Sequence, residues 1–164
     1  MELTSCCFTG HRIIRREDFP RVQADLRRML PRLADAGVCE FICGGALGFD
    51  TLAAQEVLLL KQSNPSIRLS LVLPCKDQAA RWTPSQKETY AFIAERADHT
   101  EVLFDHYVPG CMQLRNRRMV DRSQICIAYY TGRRGGTEYT INYAKQKGIR
   151  LLVVPTKEED IWEN

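Results

Sequence analysis

The sequence predicts an α/β protein: a mainly parallel sheet of about six strands between helices, in three layers. Three observations carry that prediction. Short apolar runs alternate with stretches of helical periodicity, glycine or proline closes most of those runs, and no internal repeat, low-complexity linker or compositional break divides the 164 residues. Strand–helix alternation implies right-handed crossovers, and hence parallel strands covered on both faces. One domain over residues 1–164 is expected, long enough to bury a substantial core.

The first run, LTSCCFTG, reads as a buried strand ending in a turn. From Asp18 onward Phe19, Val22, Leu26, Met29 and Leu33 recur at steps of three and four, which marks one face of a helix. Pro20 falls in its first turn, where a missing N–H costs little, and Gly37 supplies the stop. VCEFICGG is a second strand closing on glycines, and LGFDTLAAQEVLLLKQ a helix rich enough in alanine and leucine to be more buried. IRLSLVLP reads as a third strand ended by Pro74. TPSQKETYAFIAERA opens on a capping box, with Thr83 at the N-cap, Pro84 at the first helical position and Gln86 placed to bond back. TEVLF is a short fourth strand, and GCMQLRNRRMVDRS a helix with Met112, Leu114 or Arg115, Met119 and Val120 near one side. QICIAYY, GTEYTINYAKQKG and RLLVVP complete the alternation as strand, helix and strand, and an acidic tail, TKEEDIWEN, follows.

Composition excludes some classes. The chain is 45% hydrophobic and 26% charged, ordinary for a globular protein, and a net charge of +3 is too mild to announce nucleic acid or membrane binding. No apolar run is long enough to span a bilayer, and the first residues lack the basic start and apolar stretch of an export signal, so a cytoplasmic location is expected. Seven cysteines, an odd number without export, suit free thiols. Cys6, Cys7, Cys39 and Cys43 sit in strand-like runs, where cysteine acts as a small hydrophobe. No C-x-x-C pair or Cys/His cluster is present, so no metal is expected.

In parallel sheets ligands bind outside the carboxyl ends of the strands, and three of those ends carry unusual residues. TGHR (Thr9, Gly10, His11, Arg12) offers a tight turn and a fork-shaped donor, although a glycine turn after a strand is common. GGALGFD (Gly44, Gly45, Gly48, Asp50) leads from a strand into a helix, where free N–H groups at the positive end of the dipole hold anions; a compact turn that needs glycine only for steric reasons explains it equally. GRRGGT places Gly135, Gly136 and Thr137 before another helix, and these are a sharper signal than Arg133 and Arg134, which read more simply as a solvated loop. RNRRMVDRS adds Arg115, Arg118 and Arg122 along one helix side, with Asn116 and Asp121 projecting elsewhere; an arginine-rich solvent face accounts for this without function. Joint convergence of these segments on one sheet edge points to an anionic ligand. His99 and His106 stand apart, and no Ser/His/Asp or Cys/His constellation is visible. Asp50, Asp121 and Glu138 are the carboxylates near the loops; Asp50 suits a ribose hydroxyl, a helix cap or an arginine partner.

FTGHR, GGALGFDTLAA, PGCMQLRNRRMVDRSQICIAYY and GGTEYTINYAKQKG together resemble the YpsA-like proteins of the SLOG superfamily, which is named for the Smf/DprA DNA-processing proteins and the Lonely Guy cytokinin-activating enzymes. LPCKDQAARW, with Gln78 and Trp82, fits the same resemblance, which runs from about Phe8 to Gly148. It implies a Rossmann-like sheet and a pocket for a nucleotide or nucleotide-derived ligand, of the ADP-ribose or NAD type, lined by Gly10, Arg12, Gly44, Gly45, Asp50, Arg115, Asn116, Gly135, Gly136 and Thr137. It also implies a sensor or regulator linked to stress response. No cofactor beyond such a ligand is expected. A regulatory protein and a second copy of the chain are left open as partners, while membrane and nucleic acid are not expected.

The Lonely Guy branch cleaves a base from a nucleoside monophosphate with an arginine and a glutamate, in a loop resembling P-G-G-x-G-T-x-x-E. Arg115 falls where that branch has its arginine, but the residue three after Thr137 is Thr140, and Glu138 is rotated away on the helix. Catalytic residues therefore stay unassigned, with Arg115, Asp50, Asp121 and Glu138 as candidates for an alternative activity, N-glycosidic hydrolysis by a phosphoribohydrolase. Single-stranded DNA binding of the DprA type is the second alternative, disfavoured because few aromatics interleave with the basic residues.

Overall fold

Six apolar runs build one parallel sheet, and a computed structural model describes residues 3–157 of it and its helices. The strands are β1 (Ser5–Gly10), β2 (Glu40–Cys43), β3 (Arg68–Cys75), β4 (His99–Phe104), β5 (Ile125–Tyr129) and β6 (Arg150–Val154). The helices are α1 (Phe19–Asp35), α2 (Phe49–Ser63), α3 (Pro84–Arg96), α4 (Cys111–Asp121) and α5 (Gly136–Lys147). Strand order is β4-β3-β2-β1-β5-β6, and every pairing is parallel. The fold is thus the expected Rossmann-like α/β sandwich.

Side-chain alternation splits the core into two layers. Phe8, Phe41, Leu69, Leu71, Ile127 and Tyr129 pack against Val22, Leu26 and Leu30 of α1, Ala53 and Val57 of α2, and Ile93 of α3. Their strand neighbours Cys7, Ile42, Val72 and Cys126 face the other way, onto Met119 and Val120 of α4 and Ala144 of α5. Six of the seven free cysteines are buried. Cys39 departs from the expectation: it precedes β2 and is exposed.

The capping box forms as read. Thr83 Oγ1 accepts from the Gln86 amide at 3.2 Å, and Gln86 Oε1 accepts from the Thr83 amide at 3.0 Å. One proline behaves differently from expectation. β3 continues through Pro74 to Cys75, because pairing with β2 has already ended at Leu71 and the missing N–H breaks no ladder on that side. α1 runs on through Pro31, held by the apolar stripe on either side of it. Among the described residues no helix is long and apolar enough to cross a membrane. The acidic tail lies, from residue 158, outside the described residues.

Candidate functional site

The chain builds outward from β1 to β4, then crosses back to lay β5 on the opposite side of β1. The loops leaving β1 and β5 therefore diverge to opposite faces and leave a crevice at the carboxyl ends, as expected at such a switch point. A cleft of about 690 Å³ lies there. Its walls come from Thr9–Ile13 and Arg15 after β1, Thr131 and Arg133–Thr137 after β5, Met112, Arg115 and Asn116 of α4, and Ala46 with Asp50 at the start of α2. Of the residues selected from sequence, Thr9, Gly10, His11, Arg12, Asp50, Arg115, Asn116, Gly135, Gly136 and Thr137 line this cleft, and Gly44, Gly45 and Gly48 do not.

Steric demand explains those three glycines. A Cβ at Gly44 would stand 2.6 Å from Arg115 Nη1 and 2.8 Å from Asp50 Oδ2; one at Gly45 would meet Leu73 and Tyr90; one at Gly48 would collide with the Arg12 carbonyl. The amides of this turn already hold an anion, and it is the protein's own. Asp50 Oδ2 accepts from the Gly44 N–H at 3.0 Å and the Ala46 N–H at 3.3 Å. Burial pushes the Asp50 carboxyl upward, while Arg115 and the two amides pull it back.

Arg115 is 95% shielded from solvent, so the alternative of an arginine-rich solvent face does not extend to it. Its Nη1 donates to the Gly44 carbonyl and, at 3.3 Å, to Gln78 Oε1; its Nε donates to Asn116 Oδ1 at 2.8 Å. Gln78 Nε2 in turn donates to the carbonyls of Gly44 and Gly45 at 3.3 and 3.4 Å. Burial lowers the Arg115 pKa, and Asp50 opposes that shift. Arg118 and Arg122 point elsewhere, Arg118 pairing with Glu101 at 2.8 Å and Arg122 reaching Glu40 and Glu101 at 3.4 Å.

The facing loops are fastened to each other. His11 Nε2 accepts from the Thr131 amide at 3.1 Å, which leaves the ring proton of the neutral imidazole on Nδ1. Burial first, then Arg133 and Arg15, hold the His11 pKa below its usual value. Beneath it Tyr129, fully buried at the end of β5, donates to Asp18 Oδ2 at 2.7 Å and accepts from the Arg15 amide at 3.2 Å. Sequence reading missed Tyr129, Arg15 and Thr131. A tyrosine ending an apolar strand was the available signal, since its hydroxyl must emerge where the strand opens into a loop.

The third glycine turn is open. α5 begins at Gly136 with no side chain capping it, and a Cβ at Gly135 or Gly136 would meet nothing within 4 Å. Its first N–H groups and dipole are therefore available to an anion in the cleft. Among the described residues five arginines (Arg12, Arg15, Arg115, Arg133, Arg134) and a single carboxylate, Asp50, line the space. Among the described residues Arg12, Arg133 and Arg134 have no carboxylate partner within 4.0 Å.

Two catalytic candidates lie away from the cleft. Asp121 accepts from the Tyr143 hydroxyl at 2.7 Å on the outer side of α4, and Glu138, in the first turn of α5, is not among the lining residues. Among the described residues no group of three or more His, Cys, Asp or Glu side chains could hold a metal ion.

Comparison with known proteins places this chain in a family. The profile described as YpsA, the YspA SLOG family, matches residues 9–151. An uncharacterized SPbeta prophage-derived protein, YoqJ, from Bacillus subtilis (strain 168) is 36% identical over 118 residues, covering 65% of this chain and 69% of that protein. A UPF0398 protein of Bacillus thuringiensis (strain Al Hakam) is 28% identical over 139 residues, covering 81% of this chain and 76% of its own. Among solved structures, DNA processing protein A from Helicobacter pylori superposes with a TM-score of 0.66 at 18% identity, over 96% of this chain and 67% of that one.

Proposed function

Because this chain belongs to the YspA SLOG family, we propose that its switch-point cleft binds a nucleotide or nucleotide-derived small molecule of the ADP-ribose or NAD type, and that the protein works as a sensor or regulator. One observation carries the reading: five arginines against one carboxylate around an uncapped helix N-terminus, in a space of nucleotide size. A phosphate group suits the Gly135–Thr137 turn, with Arg12, Arg133 and Arg134 closing over it as charge-assisted donors. Asn116 faces the same space and suits a ribose hydroxyl.

Hydrolysis is the weaker reading. A general acid or nucleophile needs a carboxylate facing the scissile bond, and Asp50 Oδ2 is committed to two amides. Calorimetry against ADP-ribose, NAD, AMP and inorganic phosphate tests the proposal. Saturable heat is expected for at least one nucleotide, reduced in an Arg133→Ala/Arg134→Ala variant that melts normally. No heat and no thermal shift across the panel would refute it. Occupancy at a hundredfold excess over Kd raises stability by about 2.7 kcal/mol, so the thermal shift is a sensitive readout.

A second reading, single-stranded nucleic acid, is favoured by the three exposed arginines Arg12, Arg133 and Arg134, which meet no carboxylate among the described residues, and by the Helicobacter pylori fold neighbour, which binds single-stranded DNA. Against it, among the described residues the cleft lining holds no phenylalanine, tyrosine or tryptophan besides buried Phe8 on which bases would stack. A salt-sensitive mobility shift with oligonucleotides, without nucleotide binding, would select this alternative.

A further inference from the structure

Resting on the nucleotide reading of the cleft, we propose that the cleft reads the phosphates of its ligand and not the base, so that nucleoside diphosphates of every base bind alike. The walls' own acceptors are filled by the protein. His11 Nε2 accepts from the Thr131 amide at 3.1 Å, and the His11 carbonyl accepts from the Phe49 amide at 3.2 Å. Asn116 Oδ1 accepts from Arg115 Nε at 2.8 Å. The carbonyls of Ala46 and Gly136 each accept a threonine hydroxyl, from Thr51 and Thr140, at 2.9 Å. Asp50 uses Oδ2 on the Gly44 and Ala46 amides and is only 6% exposed, which leaves one carboxylate oxygen, Oδ1.

Those same bonds fix what is left for a ligand, and it is donors. Because Arg115 takes Oδ1, the other half of the Asn116 amide is its NH2 group, and because Thr131 takes Nε2, the neutral His11 ring keeps a proton on Nδ1. The first amides of α5 carry no side-chain cap, and Arg12, Arg133 and Arg134 are exposed guanidinium groups on the lining. A phosphate offers acceptors alone and matches such a surface on every oxygen. A base edge mixes donors with acceptors, and the amino groups of adenine, guanine or cytosine would be buried there with at most one oxygen to receive them, which is costly. Bases are therefore left toward solvent, where they are equivalent, while the phosphates sit against the guanidinium groups. A cationic nicotinamide would meet five arginines and one carboxylate, so NAD should bind more weakly than ADP-ribose.

Calorimetric titration of the full chain with ADP, GDP, CDP, UDP, AMP and inorganic pyrophosphate tests this. A base edge read by one good bidentate pair discriminates roughly five- to hundredfold, so Kd values for the four diphosphates that agree within about threefold show that none is read. AMP, with one anionic group fewer, should bind about tenfold more weakly or worse, and all affinities should fall with salt. Asn116→Asp keeps an oxygen for Arg115 Nε and adds an acceptor, so it should weaken every diphosphate by one common factor. Arg12→Gln, at an exposed position, should do the same should that variant not fold. One base preferred by about tenfold or more, AMP binding as tightly as ADP, or a variant whose effect differs between bases would overturn the proposal. Pyrophosphate binding tighter than the nucleotides would make free oligophosphate the ligand, and the reverse order would add a sugar contact; either upholds the indifference to base. No binding by any member of the panel would remove the nucleotide reading together with this one.

Discussion

Gly44→Ala isolates the contact on which the cleft's inner wall depends. The Gly44 backbone is not in the left-handed region, so alanine brings no dihedral strain and the effect is steric alone. The added methyl would lie 2.6 Å from Arg115 Nη1, 2.8 Å from Asp50 Oδ2 and 2.9 Å from Arg115 Cζ. Neither neighbour swings away freely. Asp50 is tied to the Gly44 and Ala46 amides, and Arg115 to the Gly44 carbonyl, Gln78 and Asn116. Overpacking costs about 1–3 kcal/mol and loss of a charge-assisted bond about 1.5–3 kcal/mol, so the variant should lose about 3–5 kcal/mol. For a chain of this length that lowers Tm by roughly 6–20 °C. Urea denaturation followed by circular dichroism measures the loss. A decrease below about 1 kcal/mol would mean that the turn yields to the methyl, and the proposed rigidity of the inner wall would be wrong.

Gly136→Ala should behave oppositely: the helix start has open space around it, so stability should hold or rise by about 0.4–1 kcal/mol while nucleotide affinity falls, read by thermal melting and calorimetry. Tyr129→Phe should cost about 1–3 kcal/mol in denaturant unfolding, because the Asp18 carboxylate and the Arg15 amide lose a shared buried partner. His11 has a folded pKa below its unfolded value of about 6.5, so the unfolded chain binds the extra proton first; stability should be intact above pH about 6.5 and decline as pH falls below it, toward the folded pKa. His11→Gln should flatten that part of the pH–stability profile, and an unchanged slope would argue against the assigned imidazole.

Periodicity made the element order legible, and the alternation made the sheet parallel before any coordinate. Local rules with a single solution, such as the box at Thr83 and Gln86, read directly from sequence. Residues whose role depends on which side of an element faces the sheet did not. A helical wheel groups Arg115, Arg118 and Arg122, yet one turn decides between burial beneath Gly44 and pairing with Glu101. The pattern GGALGFD serves a bound anion and a self-capped turn alike; only the position of Asp50 Oδ2 separates them. Pro74 shows the same limit from the other side, since the sheet tolerates a proline where its missing N–H breaks no ladder.

The bond from Thr131 to His11 joins residues 120 positions apart, and β1 finds its β5 partner only through pairs such as Cys6 with Ile125. A polypeptide emerging in order must therefore hold its first strand half-paired until nearly four-fifths of its length is made. Such long-range closure is slow, and a truncated or partly folded chain has only one wall of the crevice. A ligand of the proposed kind would thus recognise finished protein alone, and its presence would favour survival of completed copies over stalled ones.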